Sequence, residues 1–141
     1  MASTRRVLFG LALSGLLVSA VHAQDGVMPP EKTQGSVTFV SGGIGTDESE
    51  AMKRAAARYS LSIEMASTAG ARAEYVSDVK IDVRDQRGTT VLSTTSDGPF
   101  LLANLPPGTY IIGAARNGKS QERKIVVGSG THSRVRFSFA E

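Results

Sequence analysis

Residues 95–118 read Thr95-Ser96-Asp97-Gly98-Pro99-Phe100-Leu101-Leu102-Ala103-Asn104-Leu105-Pro106-Pro107-Gly108-Thr109-Tyr110-Ile111-Ile112-Gly113-Ala114-Ala115-Arg116-Asn117-Gly118. Three turn signals, Ser96-Asp97-Gly98, Leu105-Pro106-Pro107-Gly108 and Asn117-Gly118, separate apolar runs of strand length, and Asn-Gly is the pair preferred in a type I′ hairpin turn. Upstream, Val79, Ile81 and Val83 alternate with Lys80, Asp82 and Arg84, so one face is apolar and the other charged. Asp85-Gln86-Arg87-Gly88 closes a hairpin into Thr89 to Thr95. Downstream, Lys119 to Val127 and Thr131 to Phe139 read as the last two strands, joined at Gly128-Ser129-Gly130, with Val135, Phe137 and Phe139 opposed to Arg134, Arg136 and Ser138. Short strands at this spacing predict a mainly β fold, an antiparallel β-sandwich over residues 74–140.

The front half has a different period. Val37 to Val40 reads as a strand, Ser41 to Gly45 as a glycine-rich turn, and Thr46 as the N-cap of a helix to about Tyr59. Met52, Ala55, Ala56 and Tyr59 fall at i, i+3, i+4 and i+7, and Glu50 precedes Arg54 by one turn. Asp47, Glu48 and Glu50 near the start and Arg58 near the end complement the helix dipole. Leu61, Ile63 and Met65 alternate with Ser62 and Glu64. Residues 35–66 are thus expected to form a β-α-β element containing a single helix, followed by a small-residue linker, Ser67 to Ala73.

The first residues carry an export signal. Arg5 and Arg6 precede an apolar run from Val7 to Ala20, and Val21-His22-Ala23 supplies a small-x-small cleavage site. The run is too short to span a bilayer, which needs about 20 residues. We expect a signal peptide at residues 1–23 cleaved after Ala23, export to a bacterial periplasm by either the general or the twin-arginine route, and no membrane span after cleavage. Residues 24–34, with Pro29-Pro30 and no periodicity, read as a disordered leader. The chain has no cysteine, so it forms no disulfide.

Of the formal charge of +3, Arg5 and Arg6 supply two, and the remainder is too nearly balanced for nucleic acid binding, which needs a dense basic footprint. Residues 105–141 nevertheless carry six basic against two acidic groups: Arg116, Lys119, Arg123, Lys124, Arg134 and Arg136. These residues admit two readings. They form a solvated strand face that discourages edge-to-edge pairing, or a weak site for an acidic partner.

Ser96-Asp97-Gly98-Pro99-Phe100, Leu105-Pro106-Pro107-Gly108-Thr109-Tyr110 and Asn117-Gly118 together resemble the carboxypeptidase regulatory-like domain, a transthyretin-like (prealbumin-like) β-sandwich. The likeness covers about residues 75–139, with a shorter Asp97 turn than the family's. Residues 37–65 resemble the front of small exported bacterial members of that family. The resemblance implies a non-catalytic interaction or structural module, with Tyr110 anchoring its strand in the core. The zinc domain of metallocarboxypeptidases is a separate unit. The histidines and the C-terminal Tyr-Arg-Gly-Ser of the transthyretin-like purine-pathway hydrolase have no counterpart in Phe137-Ser138-Phe139-Ala140-Glu141.

No enzyme chemistry is legible. Beyond residue 23 there is one histidine, His132, whereas zinc wants three or four ligands, and His132 would be the base for any serine nucleophile. Gly43-Ile44-Gly45 followed by Glu64 imitates a dinucleotide fingerprint, but Asp47, Glu48 and Glu50 already neutralise the helix start where a pyrophosphate would sit. Their spacing is not that of a calcium loop. We therefore expect no cofactor and no catalytic or metal-binding residue. The alternative to a protein-binding module is a carbohydrate-binding one, for which Phe39, Tyr59, Tyr75 and Phe100 are the only aromatics outside the expected core. The candidate interaction surface comprises Tyr75, Phe100 and the basic residues Arg116, Lys119, Arg123, Lys124, Arg134 and Arg136, facing an envelope protein or polysaccharide.

Overall fold

The structure, a computed structural model, describes residues 27–69 and 72–140, so the expected signal peptide lies outside the described residues. The elements are β1 (Lys32–Gln34), β2 (Val37–Gly42), α1 (Thr46–Ala55) with a 3₁₀ turn at Ala56–Arg58, β3 (Leu61–Ala69), β4 (Arg72–Tyr75), β5 (Lys80–Asp85), β6 (Thr90–Thr95), β7 (Phe100–Asn104), β8 (Gly108–Arg116), β9 (Lys119–Val127) and β10 (Ser133–Ala140). One sheet runs β1-β2-β7-β3-β10 with β4 also on β3, and the other runs β6-β5-β8-β9. Among the described residues the chain is mainly β, two antiparallel-rich sheets with one short helix, as the turn spacing predicted.

The alternating residues do what their pattern requires. Val79, Ile81, Val83, Ile112, Val135, Phe137 and Phe139 fill the space between the sheets together with Leu61, Ile63 and Met65. β7 is apolar without alternation because both its faces are covered. Leu101 and Ala103 face the other sheet, while Phe100 and Leu102 join Val40, Met52, Ala55 and Ala56 beneath α1. Burying side chains such as Met52 and Leu102 contributes roughly 1.5–3 kcal/mol each, which holds a helix too short to persist alone.

Several expectations are corrected. The leader ends early: Lys32 to Gln34 pair with Phe39 to Val37 as an edge strand. Thr46 is the first helical residue, and the N-cap is Gly45. The helix stops at Ala55 and tightens into the 3₁₀ turn, which lets Tyr59 turn back so that its hydroxyl donates to Glu31 at 3.3 Å. Ser67 to Ala69, expected in the linker, instead continue β3 and pair with β4. Residues 35–66 supply strand, helix and strand in that order, with β7 inserted between β2 and β3 and antiparallel to both. β10 pairs parallel to β3, Ser133 opposite Leu61, so the sandwich is not antiparallel throughout.

β7 is held differently at its two ends. At its start Ser41 Oγ accepts the Asp97 N–H at 2.8 Å, and Gly98 lies so close to Gly42 that a Cβ there would overlap the Gly42 carbonyl. At its end Ser60 Oγ accepts the Leu105 N–H at 2.8 Å and donates to the Ala103 carbonyl at 3.2 Å, while Asn104 Oδ1 accepts the Ser60 N–H at 3.1 Å. Tyr110, buried as expected, donates its hydroxyl to the Pro106 carbonyl at 2.6 Å across the preceding turn. Asn117 and Gly118 have φ of 49° and 75°, the left-handed pair a type I′ turn needs.

Side chains close two flanks of the sandwich. On one, the Gln34 amide pairs with the backbone of Ser93, donating to its carbonyl at 2.7 Å and accepting from its N–H at 2.9 Å, as a neighbouring peptide group would. On the other, Arg123 and Gln121 stand opposite Ile112 and Ala114 and so point inward at the rim. Gln121 Nε2 donates to the Ser138 carbonyl at 2.5 Å, Lys119 Nζ donates to the Ala140 carbonyl, and the Arg123 guanidinium lies 5.5 Å from the centre of the Phe137 ring.

Candidate interaction site

The glycine turn after β2 forms one wall of a recess beside the start of α1. Gly43, at φ 99°, lies against the Phe100 ring with no room for a Cβ, so the turn hugs the aromatic it covers. Glu48 reaches back from the first turn of α1, and its Oε1 accepts the Gly43 N–H at 2.7 Å. A carboxylate placed there both satisfies the turn and complements the helix dipole. This is the use the structure makes of the acidic helix start.

The facing wall is the end of β4, the two residues after it, and Pro99. Tyr75, Val76, Ser77 and Pro99 oppose Gly43 to Thr46 and the first turns of α1 across a cleft of about 580 Å³. Ile44 and Tyr75 are the apolar lips, 65% and 50% exposed. Lys53 Nζ lies 5.8 Å from the centre of the Tyr75 ring and 3.4 Å from Glu50 Oε1, so cation and anion sit together at the rim. The cleft thus offers apolar area with a balanced charge pair at its rim.

The candidate residues are brought together only in part. Tyr75 is at the cleft, but Phe100 is buried, 6% exposed, and its ring is tilted 56° to that of Tyr75 at 5.2 Å between centres. Phe100 supports Tyr75 from beneath and presents no surface of its own. Phe39 is buried as well and Tyr59 is half-buried. No flat pair of rings results.

The basic residues do not form one surface. Lys119 and Arg123 fold over the sandwich rim, Lys124 falls on the outer face of its sheet, and Arg134 and Arg136 on the outer face of the other, where Arg136 lies 3.8 Å from Glu64. Alternation and the division into two sheets separate groups that are neighbours in sequence. Arg116, opposite Lys119 beside the Asn117-Gly118 turn, is half-buried.

His132 is exposed, but both ring nitrogens are engaged. The Tyr59 carbonyl can only accept, so Nδ1 donates to it at 2.7 Å, and Nε2 accepts from the Ser62 hydroxyl at 3.2 Å. Ser62 is buried, and the arrangement ties the start of β10 to β3. Alternation alone gave no sign of this contact, because it joins residues 70 positions apart. Among the described residues no group of three or more His, Asp or Glu side chains is placed to hold a metal ion, and no helix is long and apolar enough to cross a membrane. The two resolved pKa shifts lie away from the cleft. Burial, then Glu31, raises that of Tyr59, and burial, then Asp85, raises that of Tyr110.

Compared with known proteins, the chain matches no family model and no curated protein.

Proposed function

We propose that the protein is a non-catalytic interaction module of the carboxypeptidase regulatory-like kind, exported to the periplasm after loss of residues 1–23, which contacts an envelope protein through the cleft between Ile44 and Tyr75. The observation that carries this reading is that the exposed apolar side chains Ile44 and Tyr75 line one recess, whose glycine wall is packed tightly against Phe100. Apolar area held open to water on a rigid frame is suited to burial by a partner. The buried Tyr110 and its bond to Pro106 support the family part of the reading. The carbohydrate alternative loses support, because stacking a sugar needs exposed rings and Phe100 is covered.

A photo-crosslinking residue at position 75, in living cells, tests the site against the same residue at Arg87, in the exposed turn between β5 and β6. One discrete adduct from position 75, removed by Ile44→Asp and lacking at position 87, is the expected result. Equal labelling from both positions overturns the cleft as the contact. Export is tested by intact mass, where a chain beginning at Gln24 is expected and one retaining Leu16 and Leu17 refutes the processing.

A further inference from the structure

β4 is a short strand with an exposed edge. Met65 donates its N–H to the Pro99 carbonyl at 2.9 Å and accepts the Val76 N–H at 3.3 Å, so β7 and β4 succeed one another along the same side of β3. The far side of β4 therefore points where β2 would lie had it continued. β2 instead ends at Gly42, and the cleft opens there. All four β4 residues are exposed. The edges of β6 and β10 carry the side-chain closures from Gln34, Gln121 and Lys119, and β9 is crowded with charge. Among the described residues nothing comparable covers β4.

Backbone alternation fixes what this edge offers. Because the Val76 N–H turns inward to Met65, the amide and carbonyl groups of Glu74 and Arg72 turn inward too, and those of Ala73 and Tyr75 turn outward. Arg72 and Glu74 share one face and flank Ala73. Two such strands laid antiparallel about Ala73 set each Arg72 opposite the other strand's Glu74, at positions where facing side chains are nearest. The charge order Arg-Ala-Glu is its own complement in that register, and the small Ala73 side chain lets the two backbones approach.

We propose that the far edge of β4 pairs with a second copy of this chain, antiparallel about Ala73, and joins two six-stranded sheets into one. The pairing uses few hydrogen bonds and two exposed ion pairs, so it is a transient association favoured at high local concentration. The same edge borders the cleft, which Tyr75 also lines.

Sedimentation velocity from about 10 μM to 1 mM at low salt tests it. The wild-type protein is expected to shift from monomer to dimer over that range, and less so at 0.5 M salt. Arg72→Glu and Glu74→Arg are each expected to lose at least ten-fold in association, because like charges then face each other, and the double swap is expected to restore it. β4 lies outside the hydrophobic core, so unchanged far-UV circular dichroism is expected in all four proteins. As a second measurement, Ala73→Cys introduces the chain's only cysteine. Across the axis the Cα atoms would sit about 5.5 Å apart, within disulfide range. Mild oxidation should link these chains at least ten-fold faster than chains carrying Arg87→Cys. A wild-type protein that stays monomeric throughout, single swaps that associate like wild type, or a double swap that fails to recover would each overturn the proposal. So would equal disulfide rates at positions 73 and 87.

Discussion

The two ends of β7 are fastened in different proportions, the first by close backbone contact with a single hydroxyl, that of Ser41, on the Asp97 N–H. At Gly98 the chain fits against Gly42 because atoms are missing, whereas at Leu105 it is held because Ser60, Asn104 and Tyr110 supply polar atoms in the right places. Adding a methyl group should damage the first end. Removing a hydroxyl should damage the second. Both lie within the stretch that marks the sandwich, so each can be broken without touching the other.

The largest effect is expected from Tyr110→Ala, which removes both a buried ring and the bond to Pro106. Urea melts should show a loss of roughly 3–5 kcal/mol, as large aromatic truncations do, and a loss below about 1 kcal/mol would show that this end does not depend on its anchor. Gly98→Ala comes next, at roughly 1–3 kcal/mol, because a backbone and not a flexible side chain occupies the space the new Cβ needs. If it melts like wild type, the close approach is not what holds that end. Ser60→Ala should cost about 1–2 kcal/mol by leaving the Leu105 N–H and the Asn104–Leu105 turn without their shared partner.

Tyr110→Phe, the mildest change, keeps the ring and should cost about 0.5–1.5 kcal/mol near neutrality. It also sharpens the comparison through pH. Burial and Asp85 raise the Tyr110 pKa above 10.0 in the folded chain, so between those values the unfolded state holds fewer protons than the folded one. The stabilisation is complete below pH 10 and is lost as pH rises through the folded value. Wild-type stability should therefore fall more steeply above pH 10 than that of Tyr110→Phe, with the remaining slope carried in part by Tyr59, whose pKa is raised likewise. Parallel slopes would separate the hydroxyl from the turn it is drawn to.

Local chemistry made the closing half of the molecule legible. Lys80 to Arg84 and Arg134 to Ser138 alternate strictly, Asn117-Gly118 admits one kind of turn, and the Met52, Ala55 and Ala56 face could only be the buried side of a helix. What stayed hidden has no local signal. Lys32-Thr33-Gln34 contains no apolar residue, yet becomes a strand through the chain it meets. Ser67 to Ala73 look like linker because the run contains no large apolar residue, yet Ser67 to Ala69 extend β3 and Arg72 and Ala73 begin β4. The cleft is assembled from residues near 44, 75 and 99, so no single window of sequence contains it. The basic residues near the C-terminus misled for the converse reason, being close in sequence and divided between surfaces by the pleat.

The parallel pairing of β10 with β3 bears on when the molecule can fold. Ser133 meets Leu61 and Thr38 meets Asn104, so the central ladders of one sheet join distant parts of the chain. Closing such long loops is entropically costly and slow, and contacts of this kind reward it only late. Until residues 133–140 have been synthesised, the outer side of β3 has no partner and Phe137 and Phe139 are missing from the core. A nascent chain lacking them has hairpins to form but no sandwich to close. Its sandwich therefore closes only after residues 133–140 have joined β3.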